Sequence, residues 1–551
     1  EEPTPTEEQA DILAAAQAGS DLVVQAHPGS GKTATARMLA KSLGLRGHFL
    51  VFNRDARRDA QYRMGGNVKV VTGHSLAYGQ IVKDRPGYER KLQWTHDHGK
   101  GDIPIPVIAR ELEIGSSGIP GVNRAKVAMA VSLTVKEFLI SDRMSLDGLS
   151  IPQRAIPPTI RLSDDKTVEQ SFRELVVRCA RQIWNRMATE HDGFPITHDG
   201  YVKLFHIKQV QVSSQLWLLD EYQDTTPVQD AIIQNQEGQK IYIGDPYQQI
   251  YGWRGAVDAM RRPVRSGTKQ LYLSESFRFN QTIADVANVL LAAQGENVLM
   301  TGQDKAFAHP NLNRHHTILV RNNVSMLGVI AEYLLRRQSV YIPGGLKPEA
   351  LIKAQSALAL YQGRLEDVKI RGMQELGSWQ ALRDLAFQED RSNAEYRDLV
   401  NLVERYYVDL PRVFEWAQKS WEDMADDRGR VTLITAHRAK GREWSFVRLH
   451  DDLALPDEVI QKLQNGAPLT LAEQESVNLL YVAITRGKNG LTLPKSIKRN
   501  LGALNAATSR LKTLESVGTD QEAKEQERVF QRTREFIEKY GRERTGNAGE
   551  I

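Results

Sequence analysis

The tightest constraint on this chain lies near its start. Residues 21–26 (DLVVQA) form a short apolar run that flows directly into AHPGSGKT at 26–33 and then into TARMLAKSL. A buried strand, a glycine-rich loop and a helix in that order create a phosphate-binding turn. Backbone N–H groups around Gly29, Ser30 and Gly31 can wrap phosphate oxygens, and the helix N-terminus adds a positive dipole. Lys32 is placed for the outer phosphates and Thr33 for Mg²⁺. Ala26 stands where a first glycine is usual; Pro28 and Ala34 complete the loop and its exit. A chain built around this unit is expected to be α/β, with a parallel sheet and its ligands at the carboxyl ends of the strands.

Other runs fit that sheet. QLWLL at 215–219 ends on Asp220-Glu221, and KIYI at 240–243 ends on Gly244-Asp245. A second set follows at 317–320, 431–434 and 445–449, which predicts a second α/β core. Each core is interrupted. The segment from about 78 to 205 shows no clear strand–helix alternation, and the one from about 346 to 428 reads helical, with Leu399, Leu402, Val403 and Tyr406 at helical spacing. In all, 551 residues at about 150 per domain predict three to four domains. No internal repeat of fixed period is present. In the tail, Val529, Phe530, Phe536, Ile537 and Tyr540 fall on one helical face and predict a helix docked on the body.

Composition narrows the setting. No stretch is apolar enough to cross a membrane, so no membrane partner is expected. EEPTPTEEQ has neither the basic nor the apolar region of a secretory leader. Cys179 is the only cysteine, which excludes intramolecular disulfides and argues against cysteine metal sites. A reducing compartment fits: bacterial cytoplasm or nucleoid, including a phage-infected cell, or a nucleus if the source is eukaryotic. A net charge of +4 permits a nucleic-acid partner without arguing for one.

Two further segments carry chemistry. An acidic residue at a strand end, here Asp220, can orient the hydration shell of Mg²⁺, and the adjacent Glu221 can activate an attacking water. A lone Asp-Glu pair is more often a solvated loop; following a buried strand downstream of a phosphate loop, it reads as catalytic. GDPYQQIYGWRGA at 244–256 packs Tyr247, Tyr251, Trp253 and Arg254 behind a strand. Aromatics interleaved with Arg suit base stacking and phosphate contact on a single strand. An aromatic cluster buried in a domain interface explains that segment equally well. Other residues have plain readings: His96 and His98, and likewise His315-His316, as solvated loops; Trp184, Trp379, Trp416 and Trp421 as helix-core residues; Lys369 beside Glu366-Asp367 as a charged helix face.

Taken in order, these segments resemble a superfamily 1 DNA helicase of the UvrD/PcrA/Rep type across nearly the whole chain. PTEEQ resembles the adenine-reading Q motif, with Gln9 as the adenine contact, and AHPGSGKT resembles motif I. VFN (Phe52, Asn53) and TGHS (Thr72, His74) resemble the strand-contacting motifs Ia and Ib. DEYQD at 220–224 resembles motif II, and 244–256 motif III, with Gln248 as γ-phosphate sensor. SESFRFN resembles motif IV, with Phe277 stacking on adenine and Arg278 reaching the γ-phosphate. TAHRAKGREW resembles motif V, with His437 on DNA and Glu443 near the ribose; YVAITRGK resembles motif VI, with Arg486 as the arginine finger. PITHDGYVKLF at 195–205 together with DEYQDTTP is similar to the helicase half of the F-box DNA helicases. No F-box-like segment precedes Gln9 here, so a ubiquitin-ligase role is not carried over.

The resemblance implies two RecA-like domains with ATP in the cleft between them. Residues 1–77 and 206–285 would form the first and 78–205 its insertion. Residues 286–345 and 429–512 would form the second, 346–428 a reduced insertion, and 513–551 a helical tail. It further implies Mg-ATP hydrolysis coupled to 3′→5′ movement on single-stranded DNA and to unwinding at single-strand/duplex junctions. Three departures bear on this. Ala34 replaces an arginine that often stacks on adenine, with Arg37 one turn on. The 346–428 insertion is short, and LTLPKSIKRN lacks an aromatic tip for a strand-separating hairpin. The last two favour an alternative, a translocase that strips recombinase filaments or other replication proteins and unwinds weakly. Another alternative is an ATP-gated DNA-binding scaffold within a larger complex.

Overall fold

The computed structural model describes residues 4–52, 54–99, 101–112, 119, 122–147, 151–161, 165–252, 259–308, 315–336, 338, 340–387, 394–418 and 431–508. Asn53, Trp253, Arg254, Trp421 and the helix expected over 513–551 lie outside the described residues. The chain divides into two compact units, residues 1–273 and 274–551. Residues 274–285, grouped above with the first sheet, belong by contact to the second unit.

The first unit is built on a wholly parallel sheet. Its strands are β1 (Leu22–Ala26), β2 (Gly47–Leu50), β3 (Val68–Val71), β4 (Leu216–Leu219), β5 (Gln239–Gly244) and β6 (Lys269–Leu273). They lie in the order β3-β2-β4-β5-β1-β6. Every residue of β1 and β4 is buried, as expected of strands covered by helices on both faces. The strand order reverses around β1, the kind of place where open α/β sheets bind ligands. β2, β3 and β6 were not predicted. They are short, and β2 and β6 bury only part of their residues, so neither gives a continuous apolar run.

The 78–205 insertion, which had no clear periodic signal, is helical. Its helices include Pro86–Gly99, Arg124–Ile140, Lys166–Ala188 and His198–Ile207. They share an apolar core in which Phe138 meets Trp184 edge-on at 5.4 Å. His96 and His98 therefore lie on a helix rather than in a loop, and His98 stacks on Trp94 one turn away.

The second unit holds another parallel sheet, of β9 (Thr317–Val320), β10 (Val340–Tyr341), β11 (Val431–Thr435), β12 (Trp444–Leu449) and β13 (Gly487–Thr492). Their order is β10-β11-β9-β12-β13. A separate parallel pair joins β7 (Glu275–Asn280) to β8 (Thr301–Gln303). The three strands read from sequence are all present. His316 departs from its expected loop: it is buried at the edge of β9, with its ring nitrogen 3.1 Å from the Tyr333 hydroxyl. Lys369 follows a tight turn at Leu365–Asp367 rather than lying on a helix face. Among the described residues, the helices between 348 and 417, including Ala394–Tyr406, share a core with the sheet rather than forming a separate one. Leu399, Val400, Val403 and Val413 share one apolar cluster with Ile318, Leu433 and the helix Asn323–Leu335. Trp379 and Trp416 lie half-buried against it, and Trp184 is buried in the first unit, as the helical pattern predicts.

Candidate functional site

The loop after β1 has the conformation its glycines permit. Gly29 and Gly31 take φ of 79° and 85°, a region costly for residues bearing a Cβ. Gly31 is the N-cap of the helix Lys32–Leu43, and the Ser30 hydroxyl donates to the His27 carbonyl at 2.7 Å, closing the turn. Ala26 and Pro28 are buried beneath it, while Thr33, Ala34 and Arg37 are half-buried on the first turns of the helix. Lys32 Nζ lies 3.2 Å from Glu221 Oε1. Burial alone would lower the Lys32 pKa, but Glu221, Asp245 and Asp220 together outweigh it and raise it. The same burial pushes Asp220 upward; Glu221 adds to that and Lys32 opposes it. Burial and the neighbouring Glu221 thus favour the protonated form of Asp220, and a divalent cation there would offset this, with Asp220 and Thr33 as the residues that could hold one.

Glu221 is held in an unusual way. It takes a left-handed backbone with φ of 50°, one of the strained conformations that cluster at functional sites. Its carboxylate accepts a hydrogen bond from Gln223, whose own amide oxygen accepts from the Asp245 N–H at 3.0 Å. Asp245 in turn accepts from Gln248 Nε2 at 2.9 Å. Gln223, Asp245 and Gln248 are all buried, so a continuous chain joins the end of β4 to the end of β5. A Cβ on Gly244 would sit 2.3 Å from the Gln223 amide oxygen, so glycine is what leaves room for it. Sequence reasoning found Gln248 but missed Gln223 and Asp245. Nothing in the spacing of a Gln two residues past an Asp-Glu pair announces a bridge to the next strand.

Gln9 is buried and already engaged. Its amide oxygen accepts from the Thr6 N–H at 3.1 Å, and its nitrogen donates to the Thr35 hydroxyl at 3.0 Å. It thereby caps its own helix, Glu7–Gln17, and ties it to the helix after the glycine loop.

Phe52 and Tyr251 come together, stacked at 5.5 Å and 13°, with Phe52 38% exposed. Tyr247, expected on the same aromatic platform, is buried instead. Thr72 is also buried; its hydroxyl caps the helix Gly73–Ile81 by accepting from the Ser75 N–H. His74 lies half-buried beside it, 3.0 Å from Asp199. A cavity of about 780 Å³ is bounded by Asp220 and Glu221 as well as by Phe52, His74 and Tyr251. Carboxylates and aromatic pair thus open into one space.

In the second unit, Phe277 projects from β7 with 45% of its surface exposed. Its neighbour Arg278 donates to Glu443 Oε2 at 2.8 Å and to the Thr485 carbonyl at 3.3 Å. Lys488 lies 3.4 Å from the same Glu443. Burial would raise the Glu443 pKa, but Arg278 and Lys488 lower it overall. Arg486 is 1% exposed. Its guanidinium donates to the Val482 carbonyl at 2.9 Å, the Thr485 hydroxyl at 3.0 Å and the Arg442 carbonyl at 3.3 Å. His437 lies on a short helix after β11, 3.7 Å from Glu475. The 491–500 segment is the end of β13 followed by the helix Lys495–Thr508.

A glycine loop at a sheet switch point, with a carboxylate pair at the end of β4, two strands away, defines a P-loop nucleotide-binding protein of the RecA-like kind. Residues 162–260 match the UvrD/REP helicase N-terminal domain, and residues 311–497 match the UvrD-like helicase C-terminal domain. The chain belongs to the UvrD-like helicases. It is similar to F-box DNA helicase protein 1 of Schizosaccharomyces pombe, with 28% identity over 508 residues, covering 87% of this chain and 56% of that protein. F-box DNA helicase 1 of Gallus gallus is 27% identical over 88% of this chain and 48% of its own length. ATP-dependent DNA helicase UvrD2 of Mycobacterium tuberculosis is 25% identical over 57% of this chain and 51% of that protein. The chain spans about half the length of these relatives. Among the described residues, no helix is long and apolar enough to cross a membrane.

Proposed function

We propose that this chain is an ATP-driven DNA motor that moves 3′→5′ along single-stranded DNA and separates duplex ahead of it. The observation that carries the reading is the Glu221 carboxylate, held by Gln223, facing Lys32 at the glycine loop and opening into the cavity walled by the Phe52–Tyr251 pair. The ATP phosphates compete with Glu221 for Lys32. Once freed, Glu221 can accept a proton from the water that attacks the γ-phosphorus. Mg²⁺, for which Thr33 and Asp220 are the fitting ligands, would neutralise phosphate charge. Gln248, bonded to Asp245, stands on the chain that leads back to Glu221, so a change at the γ-phosphate can be felt at the water-activating group. Gln9 and Phe277 are carried over as base contacts and Glu443 as the ribose contact. Arg278 and Arg486 are carried over as the groups that meet charge on the γ-phosphoryl. In that role Arg278 exchanges Glu443 for phosphate, and Arg486 leaves the oxygen atoms of Val482, Thr485 and Arg442. Phe52, Asn53, Thr72, His74, Tyr251, Trp253, Arg254 and His437 make up the proposed strand track. For Thr72 the backbone is the available contact, since its hydroxyl caps a helix.

ATP hydrolysis measured with and without single-stranded DNA tests the core of this reading. Strong stimulation, abolished in Glu221→Gln, is expected; turnover indifferent to DNA would reduce the chain to a bare ATPase. Duplexes with 3′ or 5′ tails then test polarity. A second reading, a translocase that clears bound proteins and unwinds weakly, is supported by the insertion at 348–417. Among the described residues, its apolar side chains share the second unit's core. Filament displacement outpacing unwinding under the same conditions would favour it.

A further inference from the structure

A second cavity, of about 910 Å³, lies beside the one containing Asp220 and Glu221, and Phe52, His74 and His198 line both. One wall comes from the helix Arg54–Gln61, which presents Arg54, Arg57 and Arg58; the opposite wall comes from the helical insertion, through His96 and His198. Arg57 Nε is buried and has no hydrogen-bond partner among the described residues. A guanidinium nitrogen in that state asks for an acceptor. The rings across the cavity are close: His96 and His198 lie 5.0 Å apart, and His74 and His198 6.3 Å. Burial first, and then the neighbouring His74, His96 and Arg54, lower the His198 pKa, with Asp199 opposing. Three arginines line the cavity against one carboxylate, Glu89; Asp199 holds His74, and Asp55 and Asp59 share the arginine helix without lining the space. The space is therefore electropositive, within the roughly 300–1,000 Å³ range of ligand pockets, and floored by Phe52.

We propose that this cavity is a phosphodiester clamp: Arg54, Arg57 and Arg58, with His96 and His198 from the insertion, grip the backbone of the single strand next to the Phe52–Tyr251 stack. The inference rests on the reading of the chain as a DNA motor and extends it to residues that no motif marks. It also gives the segment at 195–205 a task. The helix His198–Ile207 brings His198 to the cavity, Asp199 to His74, and Tyr201 to His198, whose ring nitrogen is 2.8 Å from the Tyr201 hydroxyl. The insertion thus forms half of a grip whose other half lies on the sheet domain.

The test is the affinity of the full chain for a labelled oligothymidylate, followed across a salt series. For single strands the slope of log affinity against log salt changes by about 0.7 per phosphate contact. Arg57→Gln is expected to lower the slope by about that amount and to weaken binding several-fold, with ATP binding unchanged. Arg57→Lys should restore the slope but not all of the affinity, because a point charge replaces a fork. His96→Gln, from the opposite wall and exposed, should also weaken strand binding while leaving ATP binding unchanged. Affinity and slope unchanged in Arg57→Gln, while Tyr251→Ala weakens binding, would overturn the clamp and leave the motor reading standing. Failure of the unaltered protein to bind the strand would overturn both. If inorganic phosphate protects the protein against heat, and Arg57→Gln loses that protection without losing strand affinity, the cavity serves a free anion and the clamp is likewise overturned.

Discussion

At the scale of single residues, the site depends on groups that make two contacts at once. Gln223 holds the Glu221 carboxylate with its amide nitrogen and the Asp245 N–H with its oxygen. Gln223→Leu leaves a buried N–H unpaired, at a cost of about 1–3 kcal/mol, and frees the Glu221 side chain. The expected outcome is ATP turnover at least roughly tenfold slower with little change in KM, since general-base catalysis contributes about 10²–10⁴-fold when the base is positioned. Steady-state kinetics beside urea unfolding separates the two effects, and a normal kcat would remove Gln223 from the catalytic arrangement. Arg486 is the opposite case, a residue read as a phosphate contact that is enclosed by oxygen atoms of its own unit. Arg486→Ala is expected to keep ATP binding and lose hydrolysis. Loss of stability with turnover intact would mean that those bonds are its whole role.

At the scale of elements, helices in the first unit are tied down at their ends by buried lysines. Lys203, on the helix His198–Ile207, donates from Nζ to the carbonyls of Ser141 and Arg143, just past the helix Arg124–Ile140, and sits 4.2 Å over the Phe138 ring. Lys91 donates likewise to the carbonyls of Arg186, Met187 and Thr189. Burial pushes Lys203 down to about 7, against help from Asp142. Between that value and the ordinary lysine range the unfolded chain carries a proton that the folded one has released, so stability rises with pH across the window. Below about pH 7 both states are protonated and the dependence vanishes. Lys203→Met should abolish the dependence at this site while costing about 1–3 kcal/mol for the uncapped carbonyls. Melting temperatures of both proteins between pH 7 and 10 check this, and parallel curves would contradict it.

At the scale of the whole molecule, the two insertions differ in kind. The first gathers a core on helices and reaches the sheet domain through packing on Ala77, Ile81, Val228 and Ile232. Among the described residues, the apolar side chains of the second insertion cluster with the sheet it interrupts. Leu399→Ala, in the helix Ala394–Tyr406, removes a fully buried side chain and is expected to cost about 2–5 kcal/mol. That loss should appear as faster hydrogen exchange in β9 and β11, not only in the insertion. Exchange confined to residues 348–417 would mean that the insertion folds independently. If exchange rises in the sheet as well, the second unit would respond as one body, as the proposed motor would require.

Local chemistry was legible from the sequence. Glycines permit the loop at Gly29 and Gly31, apolar runs mark the fully buried strands, and the Asp220-Glu221 pair marks the end of one of them; each depends on neighbours within a few residues. The ordered motifs added the family, which the comparisons bear out. What only the tertiary structure decided depends on contacts between distant segments. It set Gln223 against Asp245, Phe52 on Tyr251, Asp199 beside His74 across 125 residues of chain, and Arg486 inward upon its own unit. A side chain's partner there is fixed by which elements pack together, and the polar groups, once buried, must pair with whatever that packing brings within reach.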